Sequence, residues 1–280
     1  SRRRERAAIA GSSRVTMAPS THSVEANTMG FEVTTTNGIR HLVMDNPPVN
    51  ALTVAGWFEL ADLLTEAGRD PEVAVVILSA AGKGFNAGVD IKEMQNTEGF
   101  DALIGANRGC AAAFGAIYDC EVPVICAVHD FVLGGGIGLI GNADVIVAAE
   151  GTTIGLPEVK QGALGAATHL SRLVPPHRMR QMVYTAEPID VSMLHEWGSV
   201  AEVVPRDELL ATAERIAEQI ARHSNLVIRA AKESLNAIDP VDVRRSYRME
   251  QGFTFELNLS GVSDEARDAF VEKRDPTYKR

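Results

Sequence analysis

Along residues 30–190, short unbroken apolar runs alternate with longer stretches whose apolar residues recur every three to four positions. Ile39–Met44 is one such run, stopped by Asp45-Asn46-Pro47-Pro48. Thr53 then opens a helical pattern with Trp57, Leu60, Leu63 and Leu64 on one face. Residues 73–78 form a continuous apolar strand, followed by the loop Ala81-Gly82-Lys83-Gly84. Residues 100–118 read as a helix, and residues 122–128 and 144–149 as buried strands. Unbroken apolar strands separated by helices predict an α/β core whose sheet is covered on both faces. After residue 205 the pattern changes. Residues 208–222, 225–237, 241–258 and 264–273 read as helices with charged outer faces, a second subdomain or an oligomer interface.

The expected organisation is a basic extension over 1–29, an α/β core over 30–205 and a helical region over 206–280. Five arginines and two glutamates in the first 30 residues leave the rest strongly acidic, for a net charge of −10 overall. Such a body argues against nucleic acid as the main partner. The extension reads as a leader or an upstream addition, with Met17 and Met29 as candidate starts. Three cysteines without a CxxC pair suggest neither a disulfide framework nor a zinc site. No apolar run reaches the roughly 18 residues of a membrane span, so a cytoplasmic protein off the membrane is expected.

Two glycine loops carry the candidate chemistry. In Leu133-Gly134-Gly135-Gly136-Ile137-Gly138, three glycines leave a strand and enter a helical pattern. Glycine lets backbone approach a ligand, and a helix start offers free N–H groups to an anion. Gly136-x-Gly138-x-x-Gly141 also matches a dinucleotide fingerprint, but the next strand follows too soon for the long crossover helix that fold needs. Gly84-Phe85-Asn86-Ala87-Gly88-Val89-Asp90 is a second loop leaving a buried strand. Two such loops can converge on one oxygen as an oxyanion hole.

With these loops, residues 46–52, 122–141, 156–165 and 270–279 make the chain resemble the crotonase (enoyl-CoA hydratase/isomerase) superfamily over nearly its whole length after Gly30. The resemblance implies a spiral ββα core with a helical C-terminal trimerisation region, assembled as a homotrimer or homohexamer. It implies an acyl-CoA thioester substrate held by the amides of Val89 and Gly135, with no metal and no cofactor besides the coenzyme A of the substrate. Asn86, Ala87, Gly88, Gly134 and Gly138 fall where the family brings backbone to the thioester and CoA. Lys273 falls near the CoA phosphates, although a solvated helix face explains it equally well.

The sequence departs from a hydratase at one place. A hydratase of this family holds water between two glutamates; here Glu158 keeps one position and Gly138 replaces the other. Losing one acid–base group costs about 10²–10⁴ in rate, which makes ordinary hydration poor. Glu158 is therefore the first catalytic candidate and His169 the second. His129, Asp130, Asp90 and Glu93 read as structural. Together with stretches 162–170 and 247–253, the glycine at 138 resembles a steroid-degradation subgroup that hydrolytically opens a bicyclic diketone CoA thioester. On that reading Gly138 makes room for a bulky bicycle. An ordinary hydratase or isomerase of fatty-acid-type substrates is the alternative, and a CoA-thioester-binding protein without catalysis the non-enzymatic one.

Overall fold

A computed structural model describes residues 26–28 and 30–278. Strands β1 (Ala26–Thr28), β2 (Phe31–Thr36) and β3 (Ile39–Met44) run antiparallel in turn. The extension expected over 1–29 lies outside the described residues except for β1, which pairs with β2 and so belongs to the sheet. The chain continues through α1 (Val54–Arg69), β4 (Val75–Ala80), α2 (Ile91–Asn96), α3 (Asp101–Asp119) and β5 (Val124–Val128). Next come β6 (Phe131–Leu133), α4 (Gly135–Ile140), β7 (Val145–Ala149), β8 (Thr153–Gly155) and a 3-10 turn at Glu158–Gln161. Then follow α5 (Ala167–Leu170), α6 (Pro176–Thr185), β9 (Ile189–Asp190), α7 (Val191–Glu196) and β10 (Glu202–Val204). Four helices finish the chain: α8 (Leu209–Ala221), α9 (Asn225–Ala237), α10 (Val243–Leu259) and α11 (Val262–Glu272).

The main sheet has the order β1-β2-β3-β4-β5-β7-β10 and is parallel from β3 onward. A small sheet, β6-β8-β9, stands beside it. Every residue of β4 and β5 is buried because both faces are covered. Leu42, Met44, Val76, Leu78 and Cys126 face a core shared with α1 and α3. Val75, Ile77, Ile125, Ala127 and Val147 face Leu209, Ala213 and Ala217 of α8.

Helix α1 starts where Thr53 accepts the Gly56 N–H through its side chain, an N-cap of the expected kind. Its apolar stripe buries Trp57, Leu60 and Leu64 against α3. The two helices meet closely: a Cβ at Gly109 would lie 2.8 Å from Trp57 Cβ.

The C-terminal helices are fastened to the core. Lys232 on α9 is buried and reaches Asp144 Oδ2 at 2.6 Å. On α10, Gln251 Nε2 donates to Asn107 O on α3 at 2.7 Å. The adjacent Glu250 accepts from the N–H groups of Ala167 and Thr168 at 2.9 and 3.1 Å, so it caps the start of α5. Ser263 on α11 donates to Gly162 O at 2.5 Å.

Candidate active site

The two glycine loops meet. Leu52 N–H donates to Gly88 O and Asp90 N–H to Leu52 O, at 2.9 and 3.0 Å, which fixes the first loop beside residue 52. Leu133 N–H donates to Asn86 O at 2.9 Å, which ties the second loop to the first. Gly88 and Gly134 have φ of +88° and +55°, where L side chains are strained. A Cβ on Gly88 would also lie 3.0 Å from the Gly135 nitrogen. This close approach sets Val89 and Gly135 side by side. Gly135 opens α4, so its amide has no intrahelical acceptor, and Val89 N–H has no backbone acceptor among the described residues. Two amides without a backbone acceptor thus belong to residues that line one cavity, a placement that suits an oxyanion hole.

Beside them lies a cavity of about 150 Å³ lined by Ala87, Gly88, Val89, Gly134 and Gly135 from the loops. Glu158 faces the same space from the 3-10 turn. Its Oε1 would lie 2.8 Å from a Cβ at Gly134, so the carboxyl rests directly on that glycine. Its Oε2 is shielded from solvent and has no partner. Burial, with a smaller contribution from the charge of Glu250, pushes Glu158 up to about 8. A carboxyl with that value exchanges protons near neutrality, as a general acid–base group must. Among the described residues lining this cavity, Glu158 is the only carboxylate and Arg267 the only cation.

The opposite wall comes from helices. Leu103, Asn107 and Cys110 on α3 face Tyr247, Thr254 and Asn258 on α10. None of these was singled out as a site residue from sequence. The polar stripe Tyr247, Gln251, Thr254, Asn258 recurs at helical spacing and reads as a solvated face until α10 is seen to pack inward. That regularity was the one available signal.

Several expected site residues lie elsewhere. A Cβ at Gly138 would sit 2.2 Å from Phe114 Cζ, so the aromatic ring occupies the space that a side chain there would take. Gly138 therefore seats Phe114; it neither lines the cavity nor makes room for substrate. His169 is 2% exposed, and its ring packs 4.9 Å from both Phe114 and Tyr247. It lines a different space of about 570 Å³ between α1, α3 and α10, which Glu158 does not line. Asn142 Nδ2 donates to its Nδ1 at 3.0 Å, and burial, then Arg172, pulls it down to about 3. It is a neutral packing residue in this arrangement and does not face the Glu158 cavity. Asn86 is fully buried with its side chain spent inside the loop, donating to Asn50 O at 2.6 Å and accepting from Gly88 N–H at 2.8 Å. It shapes the hole without facing the cavity. Lys273 caps the C-terminal end of α11 and also lies off the cavity.

The residues expected to be structural are so placed. Asp90 caps α2 through Lys92 N–H at 2.8 Å, and Glu93 accepts from Val54 N–H at 2.7 Å. His129 is buried between Asp130 and Ala80 O, at 3.1 and 2.9 Å. All three cysteines are free and buried.

A family model described as enoyl-CoA hydratase/isomerase matches residues 34–280. A Rhodococcus jostii protein named (7aS)-7a-methyl-1,5-dioxo-2,3,5,6,7,7a-hexahydro-1H-indene-carboxyl-CoA hydrolase is 62% identical over 89% of this chain and 96% of its own. A Mycobacterium tuberculosis protein of the same name is 63% identical over 84% of this chain and 96% of its own. An enoyl-CoA hydratase crystal structure from Mycobacterium avium subsp. paratuberculosis superposes with a TM-score of 0.79 at 25% identity, covering 90% of this chain and 99% of that one.

Proposed function

The chain belongs to the enoyl-CoA hydratase/isomerase family, and we propose that it opens a ring of a bicyclic diketone CoA thioester by hydrolysis. The observation that carries this reading is the 62–63% identity to two indene-carboxyl-CoA hydrolases over most of each chain. The site supports it in two ways. It keeps an oxyanion hole and one buried carboxyl, and it fills the place of the second hydratase glutamate with the ring of Phe114.

The reaction is a retro-Claisen hydrolysis. Glu158, ionised, takes a proton from water as the water oxygen bonds to a ring-ketone carbon. The carbonyl electron pair moves onto the ketone oxygen. The tetrahedral adduct then collapses, the ring C–C bond breaks, and its electron pair enters an enolate conjugated with the thioester. The amides of Val89 and Gly135 hold the thioester oxygen as charge builds on it, an interaction worth about 3–4 kcal/mol per donor. Glu158 returns its proton to carbon. The product carries a new carboxylic acid and keeps coenzyme A. Only the protein's own groups and water take part, and coenzyme A enters as part of the substrate.

The exposed apolar residues Leu226, Val227 and Leu235 on α9, Ile238 just past it, and Met249 and Leu259 on α10 suit burial by further copies, as in a homotrimer or homohexamer. No helix among the described residues is long and apolar enough to cross a membrane.

The test offers the bicyclic 1,5-dione CoA thioester beside crotonyl-CoA and follows product mass and free thiol. Gain of one water without thiol release is expected. Release of coenzyme A thiol would make the enzyme a thioesterase. Rapid hydration of crotonyl-CoA with an untouched diketone would make it a hydratase.

A further inference from the structure

The ring-opening reading leaves one charge without a partner. Water addition puts negative charge on the ketone oxygen, which is not the thioester oxygen that Val89 and Gly135 face. One hole cannot serve both atoms, because one oxygen is on a ring carbon and the other on the carboxyl substituent of a rigid bicycle. A second donor set is needed on the acyl side of the cavity.

Most polar side chains along that wall are already committed. Thr254 Oγ1 donates to Leu164 O at 2.6 Å and accepts from Leu164 N–H at 3.1 Å. Asn258 Nδ2 donates to Thr254 O at 2.8 Å, and its Oδ1 accepts from Arg267 at 2.8 Å. Two groups are not committed. Asn107 Nδ2 is shielded from solvent and has no partner. Tyr247 is 7% exposed, and its hydroxyl has Cys110 and Gln251 as polar neighbours. Gln251 Nε2 donates to Asn107 O at 2.7 Å and Oε1 accepts from Arg248, so Gln251 can offer Tyr247 only its second Nε2 hydrogen, which leaves the phenol's own hydrogen free. Cys110 offers only a sulfur, a weak acceptor. A buried phenol ordinarily finds a strong partner.

Asn107 and Tyr247 are also neighbours by construction. Asn107 and Cys110 stand one turn apart on α3, and Cys110 adjoins Tyr247. Gln251, one turn along α10 from Tyr247, bonds to the backbone of Asn107. We propose that Tyr247 Oη and Asn107 Nδ2 are the two donors that bind the oxygen of the ring ketone under attack, a second hole facing the thioester hole across the cavity. Neither group needs to lose a proton. The phenol keeps its hydrogen because burial raises it well above its ordinary 10, so it can donate to the ketone oxygen. The oxyanion it holds reverts to carbonyl when the C–C bond breaks.

This inference rests on the ring-opening reading, and the experiment separates the two. Wild type, Tyr247→Phe and Asn107→Ala are assayed with the bicyclic 1,5-dione CoA thioester. Tyr247→Phe keeps the ring packed on Phe114 and His169, and melting curves verify that both variants fold. Each variant is expected to lose about 10²–10³-fold in kcat with a small change in KM, the loss typical of one oxyanion donor. Infrared spectra of the substrate bound to Glu158→Gln supply a readout that general structural damage does not imitate. The ketone stretch should shift to higher wavenumber when Tyr247→Phe or Asn107→Ala is added, while the thioester stretch stays put. If wild type opens the ring and both variants match it within about threefold, or if the thioester stretch alone moves, this inference is overturned and the function stands. A wild type that leaves the diketone intact overturns both.

Discussion

Gly138→Ala is a test of the packing that replaces the second glutamate. By helix propensity alone the change should stabilise α4 by about 0.5–1 kcal/mol. Space says the opposite. The new methyl would lie 2.2, 2.3 and 2.5 Å from Cζ, Cε2 and Cε1 of Phe114, where ordinary contacts fall near 3.4–4 Å. Relief requires the ring to move by more than about 1 Å, well beyond the slack of a close-packed core. Trp57, His169 and Tyr247 pack around it with centroids at 5.6, 4.9 and 5.2 Å, so only its edge toward the 570 Å³ space is open. Overpacking of this kind costs ~1–3 kcal/mol, and an approach of 2.2 Å places this case at the upper end. The steric effect therefore wins, and urea unfolding should show Gly138→Ala destabilised by about 2 kcal/mol net. Phe114→Ala alone should cost ~3–5 kcal/mol as a large-to-small core change. Combined, the two should cost less than their sum by at least ~1 kcal/mol, because the methyl enters the space the ring leaves. A stable Gly138→Ala, or strictly additive losses, would refute the claim that Phe114 occupies the position of the missing glutamate side chain. The same geometry predicts that Gly138→Glu by itself gains no crotonyl-CoA hydration.

Further outcomes follow from the charged and polar groups. Glu158 sits at about 8 when folded against an ordinary 4.5. Between those values the unfolded chain gives up a proton that the folded protein keeps, so this group's contribution to stability falls as pH rises. Glu158→Gln should therefore melt higher than wild type by a margin that widens from pH 5 to pH 8 and then levels, while ring opening is lost; parallel melting curves would contradict this. His169, held near 3 by burial, stays neutral across the working range, so His169→Gln should leave the shape of the kcat/KM profile from pH 5 to 8 unchanged. Loss of an inflection near pH 6 would instead make it an acid–base group. Lys232→Met strands Asp144, which would keep only the Val124 N–H at 2.7 Å, and should cost about 3 kcal/mol by chemical denaturation. A neutral result would mean the pair is solvated.

Much of the frame was legible because its causes are local. Ile39–Met44 is read at its observed bounds, since the run and its Pro-Pro stop are adjacent in sequence. Thr53 and the stripe Trp57, Leu60, Leu64 mark α1 in the same way. The convergence of two glycine loops is legible too, as each loop carries its own backbone signature. Position 138 shows the limit. A glycine tells that no side chain is there, but only the fold tells that Phe114 has moved in. His169 reads as a base by type and neighbourhood, but its ring packs on Phe114 and Tyr247 and lines a different space from Glu158. Tyr247 and Asn107 lie 140 positions apart, on helices whose contact no local pattern encodes. The small sheet escaped notice because its strands are two or three residues long, below any useful period.

The grip of Glu250 on the start of α5 divides the site by origin. The thioester-facing amides grow from tight loops between buried strands, where nearly any side chain would collide. The acyl-facing wall is shared by α3 and by α10, a helix from late in the chain that is clipped in place by a few side-chain bonds. Substitutions along α10 can thus reshape which acyl group is accepted while the machinery for enolate chemistry stays untouched. A scaffold partitioned in this way can change its diet without relearning how to bite, and libraries aimed at new CoA thioesters should randomise Tyr247, Thr254 and Asn258 before any glycine.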